Sequence, residues 1–150
     1  MGSPSGCRAT IRKICGARFA GRCYKGRMST ILVPIDFSEE TPEVIECAAM
    51  LARRNRSQLV LMHVSAGNQD DEDDVAEKLE RLERCLREDG LQVSVAVRAG
   101  EPAKEIVEYG GSIKADCIII GRHDHGGAAA QSPVTTYVEQ QASCTVVAVP

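Results

Sequence analysis

Ile31-Leu32-Val33-Pro34-Ile35, closed by Asp36, is the stretch that decides the fold. It is short, continuously apolar and ends on a carboxylate, the pattern of a parallel strand buried on both faces. Thr41-Pro42-Glu43 follows with three helix-start signals: an N-cap candidate, a proline for the first turn and an acid near the positive end of the helix dipole. Val44, Ile45, Ala48, Leu51 and Ala52 then keep a helical stripe.

The alternation of strand and helix continues downstream. Leu59 to Val64 reads as a second strand. Asn68 to Asp74 reads as an acidic loop or a frayed helix start, and Val75, Leu79, Leu82 and Leu86 follow at helical spacing. Glu77–Arg81, Glu80–Arg84 and Glu83–Arg87 are i,i+4 pairs with the acid first, the favoured order, and Gly90 is placed to end this helix. Leu91, Val93, Val95 and Val97 alternate, as an edge strand with one exposed face would. Gly100-Glu101-Pro102 starts a third helix, carried by Ala103, Ile106 and Val107, which Gly110-Gly111 should end or weaken.

Cys117-Ile118-Ile119-Ile120 is a fully buried fourth strand. A polar, glycine-containing loop runs from Gly121 to Gln131, and a short helix from about Ser132 to Gln141 leads to a last strand, Thr145 to Val149. The order β-α-β-α-β-α-β-α-β predicts an α/β fold: a doubly wound, parallel, five-stranded sheet covered by helices on both faces. Ligands in such sheets bind beyond the carboxyl ends of the strands, here Asp36 and the stretch Gly121 to His125.

Composition narrows the function classes. A chain of 150 residues, 43% apolar, fits one domain with one packed core. It has no run approaching the roughly 18 apolar residues of a membrane span. Aromatics make up 3% with no Trp, which argues against platforms that stack bases. Residues 1–27 hold seven basic groups and no acid, which leaves 11 basic groups against 21 acidic ones in the rest, a net charge of −10. So acidic a body repels phosphate backbones, and no nucleic-acid partner is expected for it, although the basic arm alone could touch an anionic one.

Residues 1–27 also lack hydrophobic periodicity and read as an appendage to a domain spanning 28–150. Met28-Ser29-Thr30 opens the first strand directly, which favours a mis-assigned start or a disordered tail. A transit peptide would be Arg-rich and acid-poor as well, whereas a secretory signal lacks its continuous apolar region.

The seven cysteines form no C-x-x-C pair, so neither a disulfide framework nor a structural zinc site is expected. Cys47, Cys85, Cys117 and Cys144 read as small buried apolar residues in a reducing compartment, the cytoplasm. His123-Asp124-His125, with His63 at another strand end, invites a metal reading, but no Glu-x-x-His helix or cysteine pair supports it. Asp70 to Asp74 lacks the turn glycine and the spaced Glu of a calcium loop and is expected to be a solvated acidic loop. The turn Asp36 to Glu40 has no glycine, so it is neither a P-loop nor a G-x-G-x-x-G fingerprint. No G-x-S-x-G elbow exists and His123 has no identifiable nucleophile, so the protein is not expected to be an enzyme.

Five pieces in order and register carry a family resemblance. Ile31 to Ser38 resembles the opening of the universal stress proteins, and Leu61-Met62-His63-Val64 their second strand. Gly100 to Ile106 resembles their third-helix entry, Ala115 to Gly121 their fourth strand, and Cys144 to Pro150 their closing strand. The resemblance spans about residues 28–150 and implies their Rossmann-like fold with strand order 3-2-1-4-5.

In nucleotide-binding members the fourth strand runs into a loop of pattern G-x2-G-x9-G-[ST], an anion nest on a helix start. Gly121 matches the first glycine; Asp124 stands in place of the second, Ser132-Pro133 in place of the final pair, and the loop is two residues shorter. Pro133 has no N–H to donate, and Asp124 would set negative charge beside phosphates. The loop instead resembles the A-type branch of the family, which lacks the ATP loop. Gly126-Gly127 could rebuild the nest by a shifted loop.

By the resemblance, Asp36 matches the adenine-pocket acid and Pro34 and Val64 the pocket walls. His123, Gly126, Val134 and Thr135 join Gly121 as the further nucleotide-side positions. Asp36 equally suits a helix cap or a turn acceptor. The resemblance implies a regulatory or protective binding protein, with no obligatory cofactor, weak or absent ATP binding and an unidentified protein partner. It also implies a homodimer through the last strands, where Val146, Val147 and Val149 would form an apolar edge. The rival is an adenine-nucleotide binder with weak ATPase or autophosphorylation activity, using Asp36, Gly121 and Thr135.

Overall fold

The computed structural model describes residues 29–38, 40–65, 69–122 and 132–150. The reading of residues 1–27 and the assignments at His123 and Gly126 fall outside the described residues. Five strands and four helices alternate along the described chain. They are β1 (Thr30–Pro34), α1 (Thr41–Asn55), β2 (Gln58–Ser65), α2 (Gln69–Glu88), β3 (Gln92–Ala99), α3 (Pro102–Ser112), β4 (Cys117–Gly121), α4 (Pro133–Gln141) and β5 (Thr145–Val149). The strands form one parallel sheet in the order β3-β2-β1-β4-β5, as the alternation and the resemblance predict.

Period-two alternation divides the apolar strands between two cores. Ile31, Val33, Leu61, Ile119 and Val147 face α1 and α2, while Leu32, Met62, Ile118 and Val146 face α3 and α4. Both sides of β1, β2 and β4 are therefore dry, which is why these strands read as continuous apolar runs. β3 lies at one edge, but its burial changes along the strand instead of from face to face: Val93 is buried and Val97, on the same face, is 50% exposed, while Val95 and Ala96 pack against opposite cores, so the expected single exposed face is not found.

At the opposite end of the sheet from the carboxyl ends of β1 and β4, Asp116 ties these two strands together. Its Oδ2 accepts the N–H groups of Ser29 at 2.8 Å and Thr30 at 3.0 Å. Its own N–H donates to the Thr30 carbonyl at 2.9 Å.

Several local expectations change. The acidic stretch beginning near Asp70 is helical rather than a loop, because α2 starts at Gln69, where acids favour the positive dipole end. Of the three ion pairs foreseen on α2, Glu77–Arg81 and Glu83–Arg87 form at 2.7 Å each, and Asp74–Lys78 joins them at 3.0 Å. Glu40, not Thr41, is the N-cap of α1, and Thr41 turns its hydroxyl towards Asp36. Gly90 does end α2: at φ +87° it closes a double turn, with Gly90 N–H to Arg87 O at 2.9 Å and Leu91 N–H to Leu86 O at 3.1 Å.

Gly110-Gly111 does not end α3, which runs on to Ser112 and is closed by Lys114 at φ +53°. Gly110 serves packing instead: a Cβ there would stand 3.3 Å from Ile118 Cδ1 and 3.4 Å from Leu32 Cδ2. Burial also sorts the cysteines differently. Cys47 and Cys117 are buried, Cys144 is half-buried and Cys85 is exposed, because the α2 stripe of Leu79, Leu82 and Leu86 leaves position 85 outside the core. Finally, Val146, Val147 and Val149 are all buried in the protomer's own cores. Side chains of a strand point to the sheet faces, so the outer edge of β5 offers backbone groups, not the three valines.

Candidate functional site

The chain leaves β1 for α1 on one face of the sheet and leaves β4 for α4 on the other. The two connections part, and a cleft of about 210 Å³ opens beyond the carboxyl ends of β1 and β4. Six residues singled out by the sequence come together in its lining: Pro34, Asp36, Val64, Gly121, Val134 and Thr135. Met62, Ile106 and Ile120 complete an apolar floor that motif matching did not reveal. Alternation could have found them, since Met62 shares a strand face with Val64, and Ile120 precedes Gly121.

The β1 side of the cleft is a tight turn. Asp36 Oδ1 accepts the Ser38 N–H at 2.9 Å, with the Thr41 hydroxyl at 3.5 Å. The turn-acceptor reading of Asp36 is thus realised, while the side chain remains exposed at the rim. Phe37 adopts φ +58°, a left-handed conformation that costs a residue with a Cβ about 1–2 kcal/mol. Two contacts offset that cost: its ring lies 5.6 Å from the His63 ring, and Lys78 Nζ lies 5.3 Å from its centroid.

His63, weighed in the sequence only as a metal ligand, lines this cleft. Its Nδ1 is 2.8 Å from the Ile35 carbonyl, which can only accept, so Nδ1 carries the proton. In the neutral ring Nε2 is then an acceptor. Among the described residues no three His, Cys, Asp or Glu side chains gather as a metal would need.

The β4 side is built around Gly121. Its carbonyl accepts the hydroxyl of Thr135 at 2.7 Å, which pins the first turn of α4 to the end of the strand. Ser132 leads into α4, donating its N–H to the Arg122 carbonyl at 2.9 Å, and Pro133 takes the first helical position. There the missing N–H is least costly to the helix, and the N–H groups of Val134 and Thr135 have no intrahelical acceptor. Gly121 does not need a left-handed φ; it needs space. A Cβ on it would lie 2.5 Å from Glu40 Oε2, because the Glu40 side chain runs alongside.

A model described as the universal stress protein family matches residues 28–150. The chain belongs to that family. It is 28% identical over 134 residues to the universal stress protein Sll1654 of Synechocystis sp., a match that covers 81% of this chain and 85% of that protein. Among solved structures, the fold is similar to that of the protein MJ0577, with a TM-score of 0.70 at 23% identity, covering 83% of this chain and 96% of that one. It is also similar to a universal stress protein in complex with cAMP, with a TM-score of 0.69 at 18% identity, covering 83% of this chain and 98% of that one. No helix among the described residues is long and apolar enough to cross a membrane.

Proposed function

We propose that this universal stress protein is a regulatory or protective binding protein that acts as a homodimer in the cytoplasm, carries out no catalysis, and binds ATP weakly or not at all. The observation that carries the reading is the contrast between the two ends of the cleft. The floor of Met62, Val64, Ile106 and Ile120 with Asp36 at its rim suits a small, partly apolar ligand such as a nucleoside. At the other end the first helical position of α4 is a proline, so one backbone donor that would meet an anion is missing. The volume of about 210 Å³ lies below the roughly 300–1,000 Å³ of pockets for larger ligands.

The homodimer is supported by β5, which pairs with β4 on one side and with no described strand on the other. An alternative is favoured by the relative in complex with cAMP: an adenine-nucleotide-binding protein with weak ATPase or autophosphorylation activity. Calorimetry of the purified protein with adenosine and with ATP and magnesium separates the two. ATP that gains nothing over adenosine supports the first reading. Micromolar ATP binding that clearly exceeds adenosine establishes the second.

A further inference from the structure

Serine is among the residues that most often cap a helix, its side-chain oxygen accepting an N–H of the first turn. Ser132 holds that position before α4 but does not cap, since its side chain makes no hydrogen bond to the helix. It is nonetheless only 6% exposed, and it lines the cleft. Its backbone is held on both sides. The N–H donates to the Arg122 carbonyl at 2.9 Å, and the carbonyl accepts the Thr136 N–H at 3.0 Å and the Thr136 hydroxyl at 3.2 Å. The Ser132 hydroxyl, by contrast, has no hydrogen-bond partner among the described residues. No enclosed side-chain oxygen or nitrogen among those residues lacks a partner, so this oxygen is one that an atom in the cleft can reach.

We propose that Ser132 is a specificity-determining residue of the cleft: its hydroxyl hydrogen-bonds a hydroxyl of the bound ligand, so that the site tells a ribonucleoside from its deoxy analogues. The proposal rests on the reading of the cleft as a nucleoside pocket. The neighbouring Thr135 cannot take this part, because its hydroxyl is committed to the Gly121 carbonyl at 2.7 Å. At the other rim the Thr41 hydroxyl turns to Asp36.

The chemistry of the lining selects a neutral group. Among the described residues no Lys or Arg lines the cleft, and the Nδ1–H of His63 is already given to the Ile35 carbonyl. Nothing there offsets the charge of a phosphate. A hydroxyl both donates and accepts, as the Ser132 hydroxyl does, so the two pair in either sense. Because the Ser132 backbone is fixed on both sides, little order is lost when the pair forms.

Titration calorimetry of the full chain, wild type and Ser132→Ala, tests the proposal. The ligands are adenosine and two deoxy analogues, one without the primary hydroxyl of the ribose and one without both secondary hydroxyls. Ser132→Ala should weaken adenosine by roughly three- to tenfold and leave the analogue that lacks the partner hydroxyl unchanged. Its melting temperature should stay that of wild type, because no capping bond is removed. A drop of about 4 °C, the cost of an ordinary lost cap, would show that the hydroxyl serves the helix and would overturn the proposal. So would adenosine binding equal to wild type, or an equal loss for all three ligands; in either case the nucleoside pocket stands. If wild type binds none of the three, the pocket reading falls and the proposal with it.

Discussion

Thr135, only 1% exposed, donates its hydroxyl to the Gly121 carbonyl at 2.7 Å, so the last residue of β4 and the first turn of α4 share one buried hydrogen bond. Thr135→Val keeps the shape and leaves that carbonyl without the hydroxyl. The expected loss is about 1–3 kcal/mol in urea unfolding, with most of it restored in Thr135→Ser. Unchanged stability in the valine variant would show that the bond contributes nothing net.

Neighbouring glycines in α3 should respond with opposite sign to the same substitution. Gly111→Ala meets nothing within 4 Å and should stabilise by about 0.5–1 kcal/mol through helix propensity. Gly110→Ala must push against Ile118 and Leu32, which are almost fully buried and have nowhere to move. It should be less stable than Gly111→Ala by about 1–3 kcal/mol in thermal or urea melts.

A chain starting at Met28 keeps Ser29 and Thr30 clamped to Asp116 and should melt within a few degrees of the full chain. A start at Ile31 deletes both donors and should melt clearly lower. A large drop already at the Met28 start would mean that the preceding residues add stability.

Thiol chemistry should report the burial directly. In the chain starting at Met28, Cys85 is the exposed thiol and should react first with a thiol reagent, a phase that Cys85→Ser abolishes. Burial, with Cys144, Cys47 and Asp116 adding, pushes the Cys117 thiol from 9.0 up to about 12, and burial also raises that of Cys144. Below pH 9.0 both folded and unfolded chains hold the Cys117 proton, but from there to about 12 only the folded chain does. Stability should therefore fall across that window, and less steeply in Cys117→Ala.

The β5 edge gives a test of assembly that spares the core. The Val149 carbonyl accepts the Arg122 N–H at 2.8 Å, so the backbone groups of Val149 and, by alternation, Val147 point at β4. Those of Ala148 point outward. Ala148→Pro removes an outward donor and should convert a dimer to monomer in light scattering with the fold intact. Val147→Lys would bury a charge and unfold the protomer, so it cannot probe the edge. An unchanged dimer mass in Ala148→Pro would place the interface elsewhere.

The parallel sheet and its two helical layers were legible because Ile31 to Ile35 and Cys117 to Ile120 are apolar on both faces and the helices between them carry regular stripes, while the strand order followed from the family resemblance. The helix boundary at Gly110-Gly111 was misread because local propensity disfavours glycine, while the close approach of α3 to Leu32 and Ile118 exists only in three dimensions. In the cleft, Asp36 and Gly121 were found by motif. His63 was not assigned to it, since it is held there through the Ile35 carbonyl, and the approach of Glu40 to Gly121 joins residues far apart in the chain. Neither relation leaves a trace in residue spacing.

The two cores differ in extent among the described residues. The one under α1 and α2 is the larger, and the cleft floor of Met62, Ile106 and Ile120 belongs to the smaller one, under α3 and α4. A ligand bound in the cleft would therefore rest mainly on the smaller core, where local opening would cost less than in the larger one. A ligand seated there would act as a missing piece of core, and its signature would be slower amide hydrogen exchange in α3 and α4 rather than a change of shape.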